Sequence, residues 1–139
     1  MVNIDPGTIN YLAVIAAGVV SWVLGGIWYA RPALGGRWMN LVGMTEEQAR
    51  EGGAVAFIVA LVLSIVVALF LAFVLQALGA MGNVGNGILG GLLVWFGFMA
   101  IPAVGNVLFE KRPWGLFGIN QGYNLVSFVL MGIILSLWV

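Results

Sequence analysis

The sequence predicts an all-α integral membrane protein, a four-helix bundle that forms one domain over residues 1–139. Of the 139 residues, 63% are hydrophobic, and only five are basic and five acidic. A soluble domain carries about 25% charged residues, so a chain with 7% cannot cover a water-facing surface. All the charges also lie outside four long apolar stretches, which is typical of membrane-spanning helices.

Each apolar stretch is long enough to cross a bilayer as one helix. A hydrocarbon core about 30 Å thick needs roughly 20 helical residues, and none of the four contains Asp, Glu, Lys or Arg. We predict spans at residues 9–30, 54–79, 84–109 and 116–139. The loops between the first two and the last two spans are residues 31–53 and 110–115, which carry all five basic residues.

The distribution of basic residues indicates the orientation. The N-terminal segment, the Met81-Gly82-Asn83 turn and the C-terminus contain no Lys or Arg. Because cytoplasmic loops of membrane proteins are enriched in Lys and Arg, we expect both charged loops to lie in the cytoplasm and both termini on the outer side. The residues expected at this cytoplasmic interface, where they would tie the loops together, are Arg31, Arg37, Trp38, Lys111, Arg112 and Trp114.

The first loop is expected to contain a short interfacial helix. Its apolar residues Leu34, Trp38, Leu41 and Val42 fall at helical spacing, as in a helix that lies in the headgroup plane. Thr45 and Gln48 then form the pattern of a capping box, which begins another helical turn.

A weak internal repeat relates the two halves of the chain. Arg31-Pro32 follows the first span, and Arg112-Pro113 follows the third, 81 residues later. Two helical hairpins of the same orientation would be related by an axis along the membrane normal, which is a parallel repeat. A chance match of a common dipeptide is the alternative.

Small residues recur every four positions in the spans and predict close helix packing. Helices in lipid associate through close backbone approach, which small side chains permit. We expect packing within one bundle, with a partner protein as the alternative. The residues are Ala13, Ala17, Ser21 and Gly25 in the first span, Ala56, Ala60, Ser64, Ala68 and Ala72 in the second, Gly87 and Gly91 in the third, and Gly118, Gly122, Gly132 and Ser136 in the fourth.

Three residues inside the spans carry specific expectations. Pro102 removes a backbone hydrogen bond and clashes with the carbonyl of Phe98, so the third span is expected to bend there. A static bend is favoured, with a hinge as the alternative. Trp22 and Trp95 lie deep within their spans, and each indole N–H requires a hydrogen-bond partner.

One cluster of polar residues falls within the membrane, near the predicted cytoplasmic ends of the last two spans. Amide groups in hydrocarbon must meet each other, the backbone, water or a ligand, because an unpaired amide there is costly. Two interpretations remain open: contacts between helices, or a small polar pocket that opens to the cytoplasm. The candidate residues are Asn106, Glu110, Asn120, Tyr123 and Asn124.

Several motifs resemble the family catalogued as domain of unknown function 1761, and the resemblance extends over nearly the whole chain. They are Asn10-Tyr11-Leu12, Gly25-Gly26-Ile27-Trp28-Tyr29, Trp38, Gly43-Met44-Thr45, Phe109-Glu110-Lys111-Arg112-Pro113, Leu116-Phe117, Ile119-Asn120-Gln121-Gly122-Tyr123 and Met131-Gly132. The resemblance implies a small multi-pass protein of the bacterial cytoplasmic (inner) membrane and supplies no activity. Arg31 stands where the family often has Ser before the proline, so no role follows for that position.

Composition restricts the function that can be expected. The chain has no His and no Cys, so the commonest general base and thiol nucleophiles are missing, and we expect no enzyme, metal or cofactor. Zero net charge without a basic run argues against nucleic-acid binding.

The remaining function is a non-catalytic membrane module: an accessory subunit, a scaffold or a homo-oligomer that also binds lipid. The expected partners are membrane lipids and either further copies of the chain or a larger membrane complex. The alternative is a facilitator or channel for a small neutral solute, lined by the Asn residues of the polar cluster.

Overall fold

The computed structural model describes residues 4–139, apart from the side chains of Arg31, Glu46 and Ala49. Over this range the chain is helical, without strands, and a short 3-10 turn at Pro6–Thr8 precedes the first helix. The α-helices are α1 (Tyr11–Trp28), α2 (Gly36–Val42), α3 (Glu46–Arg50), α4 (Gly53–Ala77), α5 (Val84–Trp95), α6 (Ile101–Phe109) and α7 (Trp114–Leu137).

Four helical stretches are long and apolar enough to cross a membrane, which confirms the predicted number of spans. The third is a composite of α5, a π-type turn and α6, and it runs over Val84–Phe109. The other three are α1, α4 and α7. The predicted short helix of the first loop is also present as α2.

Polar caps determine where several helices begin. The Asn10 side chain accepts hydrogen bonds from the backbone N–H groups of Leu12 and Ala13 at the start of α1. Thr45 and Gln48 form the predicted capping box at the start of α3. These caps satisfy N–H groups that have no partner within the helix, so the polar residues between the spans set the helix boundaries.

The third span is distorted one turn before Pro102, where the sequence predicts a bend. Residues Phe96–Ala100 form a π-type turn, and the Ile101 N–H donates to the Phe96 carbonyl, five residues earlier. Because proline has no N–H to donate, the regular hydrogen-bond pattern cannot pass through this position, and the widened turn accommodates the break.

The helices pack as two hairpins. One consists of α1 and α4, the other of α5 and α6 with α7, and the hairpins meet mainly through α1 and α7. This arrangement has the helix order that the predicted parallel repeat requires, but common ancestry of the two halves stays a prediction.

The first described residues and the C-terminal residues lie at one end of the bundle, which we call the terminal end. The Asp5 N–H donates to Gln76 Oε1 (2.8 Å), at the end of α4. Asn10 Nδ2 donates to the Trp138 carbonyl (3.2 Å), and the Gly82 N–H donates to the Ser136 carbonyl (2.8 Å). The connections with the basic residues lie at the opposite end, which we call the loop end.

The hydrophobic core occupies the half of the bundle next to the terminal end. Its members come from the first half of α1 and the second halves of α4 and α7, where side chains from both hairpins interdigitate. The buried core residues are Ile9, Ala13, Val14, Ala17, Ala68, Leu71, Ala72, Leu75, Ala80, Phe128, Met131 and Leu135.

Glycines bring α5 and α7 into close contact in this same half. A methyl group on Gly87 would collide with Ser136 Oγ and the Gly132 carbonyl. A methyl group on Gly91 would lie 2.6 Å from the Phe128 carbonyl oxygen. The small residues of these helices therefore pack inside one chain, as predicted.

The small residues of α4 pack against other helices along only half of the helix. Ala68 and Ala72 are fully buried, whereas Ala56 and Ala60, nearer the loop end, are exposed. Every residue from 51 to 60 is exposed. In the loop half, α4 is therefore not covered by the rest of the bundle, and a cleft lies beside it.

Candidate functional site

A large apolar cleft lies between α1 and α4 in the loop half. Its volume is about 710 Å³, within the range of roughly 300–1,000 Å³ that is typical of small-molecule sites. From Ala54 to Ser64 it follows α4 for about 15 Å, at 1.5 Å per residue. The residues that line it are Trp22, Val23, Gly25, Gly26, Tyr29, Ala54, Phe57, Ile58, Ala60, Ser64 and Tyr123.

Residues of α1 shape this space in two ways. Gly25 and Gly26 present no side chain to it, and a methyl group on Gly26 would meet no atom within 4 Å. Trp22 reaches across to α4, where its indole N–H donates to the Phe57 carbonyl (3.0 Å). Trp22 thus links the two helices at the inner part of the cleft, and the expectation that its N–H has a partner is confirmed.

The same expectation is wrong for Trp95. Its indole nitrogen is buried and has no hydrogen-bond partner among the described residues. The indole packs against the apolar core and lies 6.1 Å from Phe96, between ring centroids. Apolar packing of the large ring accounts for its position, and nothing in the structure supplies an acceptor for its N–H.

A buried network of hydroxyl groups connects α1 to α7 behind the cleft. The Tyr123 hydroxyl donates to the Ser21 carbonyl (2.9 Å) and lies 3.1 Å from Ser21 Oγ. Ser21 Oγ is in turn 2.6 Å from Ser127 Oγ. Because each hydroxyl finds a partner in the protein, the network satisfies polar groups within the membrane and joins the two hairpins.

Tyr29 marks the loop end of the cleft. Its hydroxyl donates to Asn120 Oδ1 (2.7 Å), and its ring makes T-shaped contacts with Tyr123 and Trp38, with centroids 5.5 and 5.8 Å apart. Trp28, the preceding residue, donates from its indole N–H to the Ile119 carbonyl (2.9 Å). Hydrogen bonds from Trp28 and Tyr29 therefore connect the end of α1 to α7, and the opposite side of α1 faces the cleft.

The lining of the cleft is uncharged. Its side-chain polar groups are the hydroxyls of Ser64, Tyr29 and Tyr123 and the indole N–H of Trp22. Three of these already donate within the protein: Tyr29 to Asn120, Tyr123 to the Ser21 carbonyl and Trp22 to the Phe57 carbonyl. No carboxylate or basic side chain lines it. Such a surface suits an apolar, uncharged group better than an ion.

Three of the five predicted polar residues lie in two different places. Asn106 and Asn120 line a small cavity of about 90 Å³ between α6 and α7, together with Gln121 and Arg112. Tyr123 lies instead in the hydroxyl network and the apolar cleft. The structure therefore places these residues at a small cavity and in hydrogen bonds between helices, and a ligand pocket stays a prediction.

The other two predicted polar residues, Asn124 and Glu110, line neither the cavity nor the cleft. Asn124 Nδ2 donates to Gln121 Oε1 on its own helix, at 3.4 Å. Glu110 is exposed and forms an ion pair with Arg112 on the same turn, with 2.8 Å between Oε2 and Nε. Glu110 is thus part of the loop-end surface.

The predicted interface residues lie at the loop end, and some of them connect the two loops. A methyl group on Gly115 would lie 3.2 Å from Leu41 Cδ1 and 3.7 Å from Arg37 Nη2, so α2 packs against the start of α7. Trp114 is exposed, and its ring makes a T-shaped contact with the ring of Phe117, with 5.5 Å between centroids. Lys111 occupies the left-handed region (φ 55°) in the turn. The side chain of Arg31 lies outside the described residues.

Sequence reasoning did not identify Ser21, Trp22 and Tyr29 as residues of one site. The Gly25-Gly26 pair, together with the small residues of the second span, is a signal that could have pointed to the cleft. No three Asp or Glu side chains come together to hold a metal ion in the part of the chain that the structure describes.

Comparison with known proteins agrees with the motifs. No curated protein matches the chain, and no solved structure does. The family model described as protein of unknown function (DUF1761) matches residues 12–136, nearly the whole chain. The chain, with its four candidate spans, its α1–α4 cleft and its loop-end polar cavity, therefore belongs to the DUF1761 family.

Proposed function

We propose that this protein is a non-catalytic membrane module that holds the acyl chain of a membrane lipid in the α1–α4 cleft. The observation that carries the proposal is the cleft itself, about 710 Å³ in volume and lined by apolar side chains, glycines and a few hydroxyls. A space of this kind beside two membrane-spanning helices is surrounded by lipid tails. An acyl chain fills it without loss of hydrogen bonds, whereas water would find few polar partners there.

The non-catalytic part of the proposal rests on chemistry. The chain has no His and no Cys, and the side chains that line the cleft include no carboxylate and no amine. General acid–base catalysis needs a group that exchanges protons near the working pH. Tyrosine and serine hydroxyls do not do so without an activating base.

We place the protein in the bacterial cytoplasmic membrane, with both termini on the outer side. The five basic residues support this orientation, since all of them belong to the connections at the loop end. The cleft then faces the inner leaflet, and its ligand is a lipid of that leaflet. Association with further copies or with a larger membrane complex stays a prediction.

A photolabelling experiment tests the lipid site. The protein is reconstituted into vesicles that contain a phospholipid with a diazirine on one acyl chain, irradiated, and mapped by peptide mass spectrometry. We expect adducts to concentrate at residues 22–29 and 54–64. Adducts spread evenly over exposed side chains outside these two ranges, such as Phe70, Leu93 and Phe98, would count against a specific site.

A facilitator for a small neutral solute is the second candidate function. The observation that favours it is that Asn106, Asn120 and Gln121 meet at one cavity near the loop end. Asn120→Leu should then reduce glycerol or urea flux into proteoliposomes, relative to the wild type. Unchanged flux, or no flux above protein-free vesicles, would remove this candidate.

A further inference from the structure

The small cavity between α6 and α7 has a composition unlike that of the cleft. It is lined by Ala103, Asn106, Val107, Arg112, Leu116, Phe117, Asn120 and Gln121, and its volume is about 90 Å³. No Asp or Glu is among these residues. The cavity lies where α6 ends and α7 begins, next to the exposed Glu110-Lys111-Arg112 turn, and therefore at the level of the lipid headgroups.

Gln121 is the buried polar residue of this cavity. Its side chain is about nine-tenths buried, with 9% of the residue surface exposed. Its carbonyl oxygen accepts a long hydrogen bond from Asn124 (3.4 Å). Its amide nitrogen has no hydrogen-bond partner among the described residues and is not itself fully buried, so it is accessible to a ligand. Two N–H groups are thus available where Gln121 lines the cavity.

Further donors come from Asn120 and Arg112. The Oδ1 atom of Asn120 is engaged by the Tyr29 hydroxyl, which leaves its amide nitrogen without a partner in the described part of the chain. Arg112 uses Nε for the ion pair with Glu110. Both terminal guanidinium nitrogens lack a partner within residues 4–139 as described. The cavity therefore offers hydrogen-bond donors, and the half-exposed guanidinium of Arg112, paired through Nε with Glu110, lies at its edge.

We propose that this cavity binds a phosphate group, either from the headgroup of an anionic phospholipid or from free phosphate. Phosphate oxygens only accept hydrogen bonds, and the fork of an arginine fits them in a bidentate manner. About 90 Å³ has room for a group of a few heavy atoms, since a water molecule occupies about 30 Å³ in the liquid. Basic pockets between membrane helices on the cytoplasmic side commonly hold anionic headgroups.

This inference goes beyond the proposed acyl-chain cleft, because the cavity lies between α6 and α7 and shares no lining residue with the cleft between α1 and α4. Asn120 is the one residue that connects them, since it lines the cavity and accepts the hydrogen bond of Tyr29 in the cleft. The phosphate proposal also differs from the facilitator proposal, because the facilitator would carry an uncharged solute. A phosphate bound beside Arg112 would block such a path.

The test measures binding of dioleoyl phosphatidic acid to the detergent-solubilised full chain by native mass spectrometry. Dioleoylglycerol, which has the same acyl chains without the phosphate, is the reference lipid. We expect the wild type to bind the phosphatidic acid at least tenfold more tightly than dioleoylglycerol. Competition by millimolar inorganic phosphate would identify free phosphate as a ligand of the same site, and its absence would assign the site to lipid headgroups.

Two variants and a matched control locate the site. Arg112→Gln and Gln121→Met should each weaken phosphatidic acid binding at least fivefold. Lys111→Gln removes the same charge from the same turn, but Lys111 does not line the cavity, so binding should change less than twofold. Equal binding of the two lipids, or equal losses in Arg112→Gln and Lys111→Gln, would overturn the proposal. Loss of acyl-chain adducts in the α1–α4 cleft would not affect it.

Discussion

Single hydroxyl groups connect the two hairpins at the centre of the molecule. Tyr123 on α7 donates to a backbone carbonyl of α1, and its ring also lines the cleft. A methyl group on Gly25 would lie 3.2 Å from this hydroxyl oxygen. Because Gly25 has no side chain, it leaves the space that the Tyr123 hydroxyl occupies. One residue therefore contributes both to the stability of the bundle and to the shape of the site.

Tyr123→Phe tests that double role. The change removes hydrogen bonds to Ser21 that are shielded from water, so we expect the free energy of unfolding to fall by about 0.5–1.5 kcal/mol. The measurement is thermal or denaturant unfolding in a mild detergent. Tyr11→Phe is the control, because the exposed Tyr11 hydroxyl donates to the Pro6 carbonyl at the end of the chain. An equal loss in both variants would contradict the special importance of Tyr123.

Small residues act differently in different helices. Along α5 and α7 they let the two backbones touch, so that Gly87, Gly132 and Ser136 form one continuous contact. Along α4 the same kind of ridge is buried at Ala68 and Ala72 but open at Ala60, where it lines the cleft. The spacing of small residues thus predicts close packing correctly for one helix pair and only in part for the other.

Gly87→Ala should be strongly destabilising, because the added methyl group has no space between Ser136 Oγ and the Gly132 carbonyl. Overpacking of this kind costs about 1–3 kcal/mol, measured by the same unfolding assay. Gly105→Ala on α6 is the matched control, since a methyl group there meets no atom within 4 Å. A stability loss in Gly105→Ala as large as in Gly87→Ala would show that backbone contact is not the cause.

Much of the fold could be predicted from the sequence, because span length, lack of charge and capping residues act locally. The spans, the Thr45 capping box and the distortion near Pro102 are of this kind. The site could be predicted only in part. Asn106 and Asn120 line one cavity, as their place in one polar cluster suggests, but Tyr123 faces α1, because the rotation of α7 about its axis is set by the helices it packs against.

At the scale of the whole molecule, the two halves of the bundle differ in how closely their helices pack. The terminal half contains the interdigitated core and the hydrogen bonds that hold both chain ends together. The loop half contains the cleft and the donor-lined cavity, and α4 is uncovered there. A well-packed half thus positions helices whose other halves line the cleft and the cavity.

The orientation in the membrane can be measured directly, because the natural chain has no cysteine. We expect a single cysteine at Val139→Cys, an exposed position at the terminal end, to react with a membrane-impermeant maleimide added outside intact cells. Glu47→Cys in the first loop should react only after permeabilisation. The reverse labelling pattern would place the basic loops outside and contradict the proposed topology.

The most direct test of the acyl-chain cleft is to fill it and count the lipids that remain bound. Gly26→Leu places a side chain in open space within the cleft, whereas Gly118→Leu adds the same side chain in open space on α7, away from it. Native mass spectrometry after gentle extraction gives the number of diacyl lipids per chain. We predict that Gly26→Leu retains one lipid fewer than the wild type and Gly118→Leu retains the same number. Equal retention by all three proteins would contradict a lipid site between α1 and α4.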